Sequence, residues 1–96
     1  MVWTVKVARK AAKQLDDLPF LIQKRFDMLA KELETAGPLR ANWRHFGRLK
    51  GEGSRFLYHC HLKEGQPTYV ACWEVLNKEI RIIEVYYVGT HEKAPY

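Results

Sequence analysis

The chain has 96 residues, 47% of them hydrophobic, and 16 Lys and Arg against 11 Asp and Glu give it a net charge of +5 and a pI near 9.4. That is enough chain for one compact core and not for two, so a single domain over residues 1–96 is expected. No apolar run approaches a membrane span, the start Met1-Val2-Trp3-Thr4-Val5-Lys6 lacks the apolar core of a signal peptide, and two cysteines are too few for a secreted disulfide framework. The expectation is a cytoplasmic protein with reduced Cys60 and Cys72 and no membrane partner. Its positive balance favours polyanions, either nucleic acid or an acidic protein.

Val2 to Val7 alternates and predicts a short strand. Ala8, Ala11 or Ala12, Leu15 and Leu18 then recur at helical spacing opposite Arg9, Lys10, Lys13 and Gln14, so an amphipathic helix follows. Leu18-Pro19 ends it, because the residue before a proline is pushed out of the helical region, while Pro19 suits the first turn of a second helix. Ile22, Phe26, Leu29, Ala30 and Leu33 form the apolar stripe of that helix, which Gly37-Pro38 terminates. The two make a helical hairpin that needs a sheet to cover it.

Leu39 to Trp43 reads as loop, His45 to Lys50 as a short strand, and Gly51-Glu52-Gly53-Ser54 as a turn. Arg55 to Leu62 is a longer strand, closed by Lys63-Glu64-Gly65-Gln66-Pro67. Two β-branched and aromatic runs, Thr68 to Leu76 and Ile80 to Val88, complete the chain as an antiparallel hairpin. With Asn77-Lys78 as its loop, Glu74 falls opposite Arg81, Cys72 opposite Ile83 and Val70 opposite Val85. The expected class is α+β: an N-terminal strand, a helical hairpin, then an antiparallel sheet packed on the helices. Nothing repeats, and no linker marks a second domain.

Side chains alternate along Arg55 to Leu62, so Phe56, Tyr58, Cys60 and Leu62 share a core-like side and Arg55, Leu57, His59 and His61 share the other. Lys63 is next in phase, and Arg48 and Lys50 point the same way if Leu49 points inward. His91, after the last strand, can join this basic wall. Three readings compete: solvated polar residues on an open sheet face, a metal site made by His59, His61 and His91, or acid–base chemistry on a phosphodiester. Surrounding Arg and Lys repel a cation and no acidic ligand is evident, which weighs against the metal. A histidine near its unperturbed pKa of about 6.5 can instead take a ribose 2′-OH proton and another can protonate the leaving oxygen.

The strand Tyr58-His59-Cys60-His61-Leu62, the next strand Tyr69 to Val75, and the ending Val88-Gly89-Thr90-His91-Glu92 through Tyr96 resemble the RelE/HigB-type toxins of bacterial toxin–antitoxin systems, in the wider RelE/ParE superfamily. The resemblance runs over nearly the whole chain. It implies a RelE-like fold, a metal-independent endoribonuclease that cleaves messenger RNA, commonly on the ribosome, no cofactor, and an antitoxin partner. It places His59 and His61 where such toxins carry two strand lysines, matches His91 to the basic residue after the last strand, and makes Tyr96 the aromatic that stacks on a base. Arg48, Lys50 and Arg55 become backbone-contacting charges. The arginine that follows a Tyr on the next strand in RelE is missing here, where Val70 follows Tyr69, so phosphate stabilisation falls to Arg55, Lys63, Arg81 or a histidinium. Two other functions fit the same residues: a ParE-like gyrase inhibitor without RNA chemistry, and a plain RNA-binding module.

Overall fold

The order of strand, helices and strands read from the sequence is the order observed in the computed structural model, which describes residues 2–51 and 53–96; Met1 of the opening segment and Glu52 of the expected turn lie outside the described residues. The opening strand is β1 (Thr4–Val7), followed by α1 (Arg9–Asp16) and α2 (Phe20–Ala36). Next come β2 (Gly47–Leu49), β3 (Phe56–Lys63), β4 (Tyr69–Asn77) and β5 (Ile82–Thr90), and then a single 3₁₀ turn, His91–Lys93.

Pro19 separates the helices as its chemistry requires. It caps α2 at φ −55° and ψ 148°, and the Gln23 amide donates back to the Leu15 and Leu18 carbonyls at 3.1 Å each, tying the two helices together. Ile22, Phe26, Leu29 and Leu33 are buried along one face of α2, with Ala30 half-buried beside them. Gly37 ends the helix with its N–H on the Leu33 carbonyl and φ +94°, and a Cβ there would lie 3.1 Å from the Trp3 indole nitrogen. Both constraints disfavour any side chain at this position.

The sheet order is β1-β5-β4-β3-β2, antiparallel except that β1 runs parallel to β5. The strands after the helices form the expected antiparallel sheet, and β1 adds to its β5 edge in parallel, the chain between them passing through both helices and the other three strands. On the helix side, α2 packs against Tyr58, Cys60 and Leu62 of β3, Ala71, Trp73 and Val75 of β4, and Ile83, Val85 and Val88 of β5. No helix among the described residues is long and apolar enough to cross a membrane.

The β4–β5 register differs from the one expected. Glu74 lies opposite Glu84, Cys72 opposite Tyr87 and Val70 opposite Gly89, not opposite Arg81, Ile83 and Val85. The loop is longer than two residues because the Asn77 side chain accepts the N–H groups of Glu79 and Ile80 at 2.9 and 3.0 Å, and Arg81 takes φ +56° to re-enter the sheet. Glu74 then bonds Arg55 through both carboxylate oxygens, at 2.8 and 3.0 Å.

A bulge opposite Cys72 and Trp73 inserts an extra residue into β5. Val85 and Val88 therefore both face the helices, while Tyr86 and Tyr87 both join Val70 and Cys72 on the opposite face. The same pairing puts Cys60 on the helix side and Cys72 on the other. Both are free and buried, and burial pushes each thiol up to about 12, well outside the reactive range.

Candidate functional site

The sheet face turned away from the helices carries the histidines. His59 and His61 stand on β3 opposite Cys72 and Val70, with a ring separation of 6.3 Å. The end of β5 then brings His91 to 5.5 Å from the His61 ring, and the tail folds back so that the Tyr96 ring lies 4.8 Å from His59 and 5.8 Å from His91. A strap holds this tail: Tyr87 Oη donates to the Thr90 carbonyl at 2.6 Å. Gly89 makes room for it, since a Cβ there would lie 2.8 Å from Tyr87 Oη. The His91 N–H also bonds the Thr68 carbonyl at 2.8 Å.

Both strand histidines are pushed below the ordinary imidazole range. For His59 the largest cause is burial, opposed by a 3.2 Å bond between Nδ1 and the Gly47 carbonyl and reinforced by His61, His91 and His45. For His61 burial again leads, then His45, against a 3.3 Å contact with Glu64. The Gly47 carbonyl can only accept, so Nδ1 of His59 carries the proton and Nε2 is left as a proton acceptor. Tyr96 is raised to about 12 by burial and stays a neutral phenol.

A fourth histidine completes the cluster. His45 sits at φ +53°, its ring 4.4 Å from that of His61 and its Nε2 2.7 Å from Glu64. The opposite oxygen of Glu64 accepts from Arg44 at 2.8 Å. Beside this group opens a concavity of about 730 Å³ lined by Arg25, Arg44, Lys63, Trp43, His61 and Glu64.

The chain has the dimensions and topology of known structures. It matches a chain of the archaeal RelE–RelB complex from Pyrococcus horikoshii OT3 with a TM-score of 0.77 and 24% identity, over 98% of this chain and 100% of that one. It also matches a mutant of E. coli toxin RelE in the free state with a TM-score of 0.71 and 19% identity, over 98% of this chain and 88% of that one. The chain has the RelE fold. No family model and no curated protein sequence matches it.

Within this RelE fold the expected histidines and Tyr96 come together and Lys63 lines the concavity beside them, while Arg48, Lys50, Arg55 and Arg81 lie elsewhere. Leu49 pairs with Leu57 and packs on the apolar patch of the histidine face, so the intervening Arg48 points to the other side, its guanidinium 4.6 Å from the Phe56 ring centre. Arg48, Lys50 and Arg55 line a small groove at the β2–β3 turn. A second bulge, at Leu62, breaks the alternation, so Lys63 pairs with Tyr69, which packs on the helix-side core. Arg81 lies at the start of β5, at the opposite end of that strand from His91, beside Trp3, Gly37 and Pro38.

His45 and Glu64 were not readable as site residues. His45 lies before β2 in a left-handed conformation, and a strand reading of His45 to Lys50 hides that turn. Glu64 had one signal, its i,i+3 spacing from His61, which reaches the ring only through the bulge.

The loop that carries His45 is held by Glu32. One oxygen of this α2 carboxylate accepts from Asn42 at 2.8 Å, the Trp43 indole at 3.0 Å and Arg40 at 3.2 Å. Burial acts to raise its pKa, but these three bonds and the Arg40 charge outweigh it and the net shift is downward. A depressed folded pKa gives stability that is complete above the unfolded value of about 4.3 and lost as pH falls through the folded one. Amide exchange across residues 40–46 is therefore expected to rise in acid before that of the core. Glu32→Gln should raise it already at pH 7, at a cost of about 1–2 kcal/mol; unchanged exchange in this variant would show that the loop is held elsewhere.

Proposed function

We propose that this chain is the toxin of a type II toxin–antitoxin pair, an endoribonuclease that cuts messenger RNA on the ribosome by metal-independent attack of a ribose 2′-OH. The observation that carries this reading is the convergence of His59, His61, His91 and Tyr96 on one sheet face, with ring separations of 4.8 to 6.3 Å. A neutral imidazole, His59 with its free Nε2, takes the 2′-OH proton. The 2′-oxygen forms a bond to phosphorus, the bond to the 5′-oxygen breaks, and a second histidine of the cluster, His61 in the protonated fraction that its contact with Glu64 favours or His91, gives that oxygen a proton. Tyr96 stacks on a neighbouring base. Arg25, Arg44 and Lys63 around the adjacent concavity supply positive charge for the phosphate chain, a role their position fits better than that of Arg48, Lys50, Arg55 or Arg81.

The antitoxin partner is inferred from the Pyrococcus neighbour, which was solved as a RelE–RelB complex. A substrate on translating ribosomes places the working protein in the cytoplasm. The chemistry has a distinct product signature: each upstream fragment should end in a 2′,3′-cyclic phosphate and each downstream fragment should begin with a 5′-hydroxyl. Ligation and phosphatase sensitivity of the fragments checks this, and 5′-phosphate ends would rule out 2′-OH attack.

A further inference from the structure

Two members of the histidine cluster, His45 and Glu64, transfer no proton in the proposed cleavage. Glu64 Oε1 lies 2.7 Å from His45 Nε2 and 3.3 Å from His61 Nδ1, and the three donor atoms all fall within 4.8 Å of one another. Tetrahedral zinc, with bonds of about 2.0–2.1 Å, wants its donors roughly 3.3 Å apart, so small side-chain adjustments bring this set to a zinc geometry. We propose that His45, His61 and Glu64 form a zinc site, and that zinc bound there withdraws His61 from proton transfer and so inhibits cleavage.

The donors come from preset backbone. His61 is fixed in β3, Glu64 follows it across the Leu62 bulge, and the His45 segment is pinned to β3 by the His61 N–H on the Arg44 carbonyl at 2.8 Å. Two imidazoles and one carboxylate suit zinc and leave a fourth position for water, whereas magnesium and calcium favour oxygen-only sets. Arg44 does not contest the metal position. Its guanidinium is engaged with Oε2 of Glu64, the oxygen turned away from the histidines, and serves as the outer partner that orients the carboxylate. The acidic ligand that the sequence did not reveal is thus supplied by Glu64.

Metal binding is testable without RNA; only the inhibitory consequence rests on the proposed function. The protein is stripped with a chelator and titrated with zinc by calorimetry, and with Co(II) as a spectroscopic probe. One metal per chain with tetrahedral Co(II) absorption is expected, with no binding of magnesium at the same concentration. His45→Gln and Glu64→Gln should each weaken zinc about tenfold or more, and His91→Ala should not. Absence of binding, or equal affinity in wild type and both variants, overturns the site. In the cleavage arm, zinc should inhibit wild type relative to its own rate in chelator, while the rate of His45→Gln, compared with its own rate in chelator, should not change with zinc. Zinc that binds at these residues without slowing cleavage overturns the inhibition. A chain that cleaves no RNA even in chelator overturns the nuclease reading instead, and the titration still decides the metal site.

Discussion

His59→Ala will lower messenger-RNA cleavage by about a hundredfold or more while leaving the fold intact, if His59 is the general base. The ring is half-buried, its Nδ1 is committed to the Gly47 carbonyl at 3.2 Å, and burial with neighbouring histidines keeps it in the neutral form that accepts a proton. Its removal leaves His61 and His91 in place but takes away the acceptor nearest Tyr96. Binding through phosphate contacts should change little, and retain its salt dependence. The test is single-turnover cleavage by the variant at matched stability. Full activity in both His59→Ala and His91→Ala would remove the histidines from the mechanism; loss of RNA binding in step with cleavage would make them contact residues only.

Trp73→Ala is expected to cost about 3–5 kcal/mol, the upper range for truncating one core side chain. A domain of this length has roughly 5–14 kcal/mol in total, at about 0.05–0.15 kcal/mol per residue, so the variant should be near the limit of folding at 37 °C. Trp73 is fully buried in the centre of β4. Its ring stacks with Tyr58 at 6.4 Å and Phe46 at 6.0 Å, and its indole N–H donates to the Pro38 carbonyl at 3.1 Å. The substitution leaves a large cavity, orphans that carbonyl and frees Phe46, the residue after His45. Urea unfolding measures the cost. A loss under about 2 kcal/mol would mean that the core collapses onto the gap, and that this residue does not organise the sheet.

The helices and strands were legible because each obeys one period. The α2 stripe of Ile22, Phe26, Leu29 and Leu33 needs only helical spacing, and Pro19 and Gly37-Pro38 mark its ends with residues whose backbone chemistry admits few alternatives. The histidine pair was legible for the same reason, since His59 and His61 sit in a regular stretch of β3. Positions that depend on a break in period were misread. The bulge at Leu62 flips the phase of Lys63, which was placed on the wrong face, and the longer turn closed by Asn77 shifts the β4–β5 pairing at Val75–Ile83 and Glu74–Glu84, before the bulge at Tyr86 is reached.

Arg48 was misplaced for another reason. Its phase was deduced by sending Leu49 to the helix core, but the histidine face has its own apolar patch of Val70, Cys72 and Tyr87, and Leu49 belongs there. A sheet buried on both faces gives a β-strand no single inside. His45 was hidden by a left-handed turn that no glycine announces, and the Glu32 hub by contacts that run from the last turns of α2 to the loop beyond Gly37-Pro38.

The most direct test of the central claim is a reconstituted translation reaction, with and without ribosomes, in which messenger-RNA ends are mapped for wild type and His91→Ala. Discrete, ribosome-dependent cuts in wild type that disappear in the variant are the predicted result. Intact message under blocked translation would contradict cleavage and leave an RNA-binding module, and intact message with normal translation would contradict both and bring a gyrase assay forward.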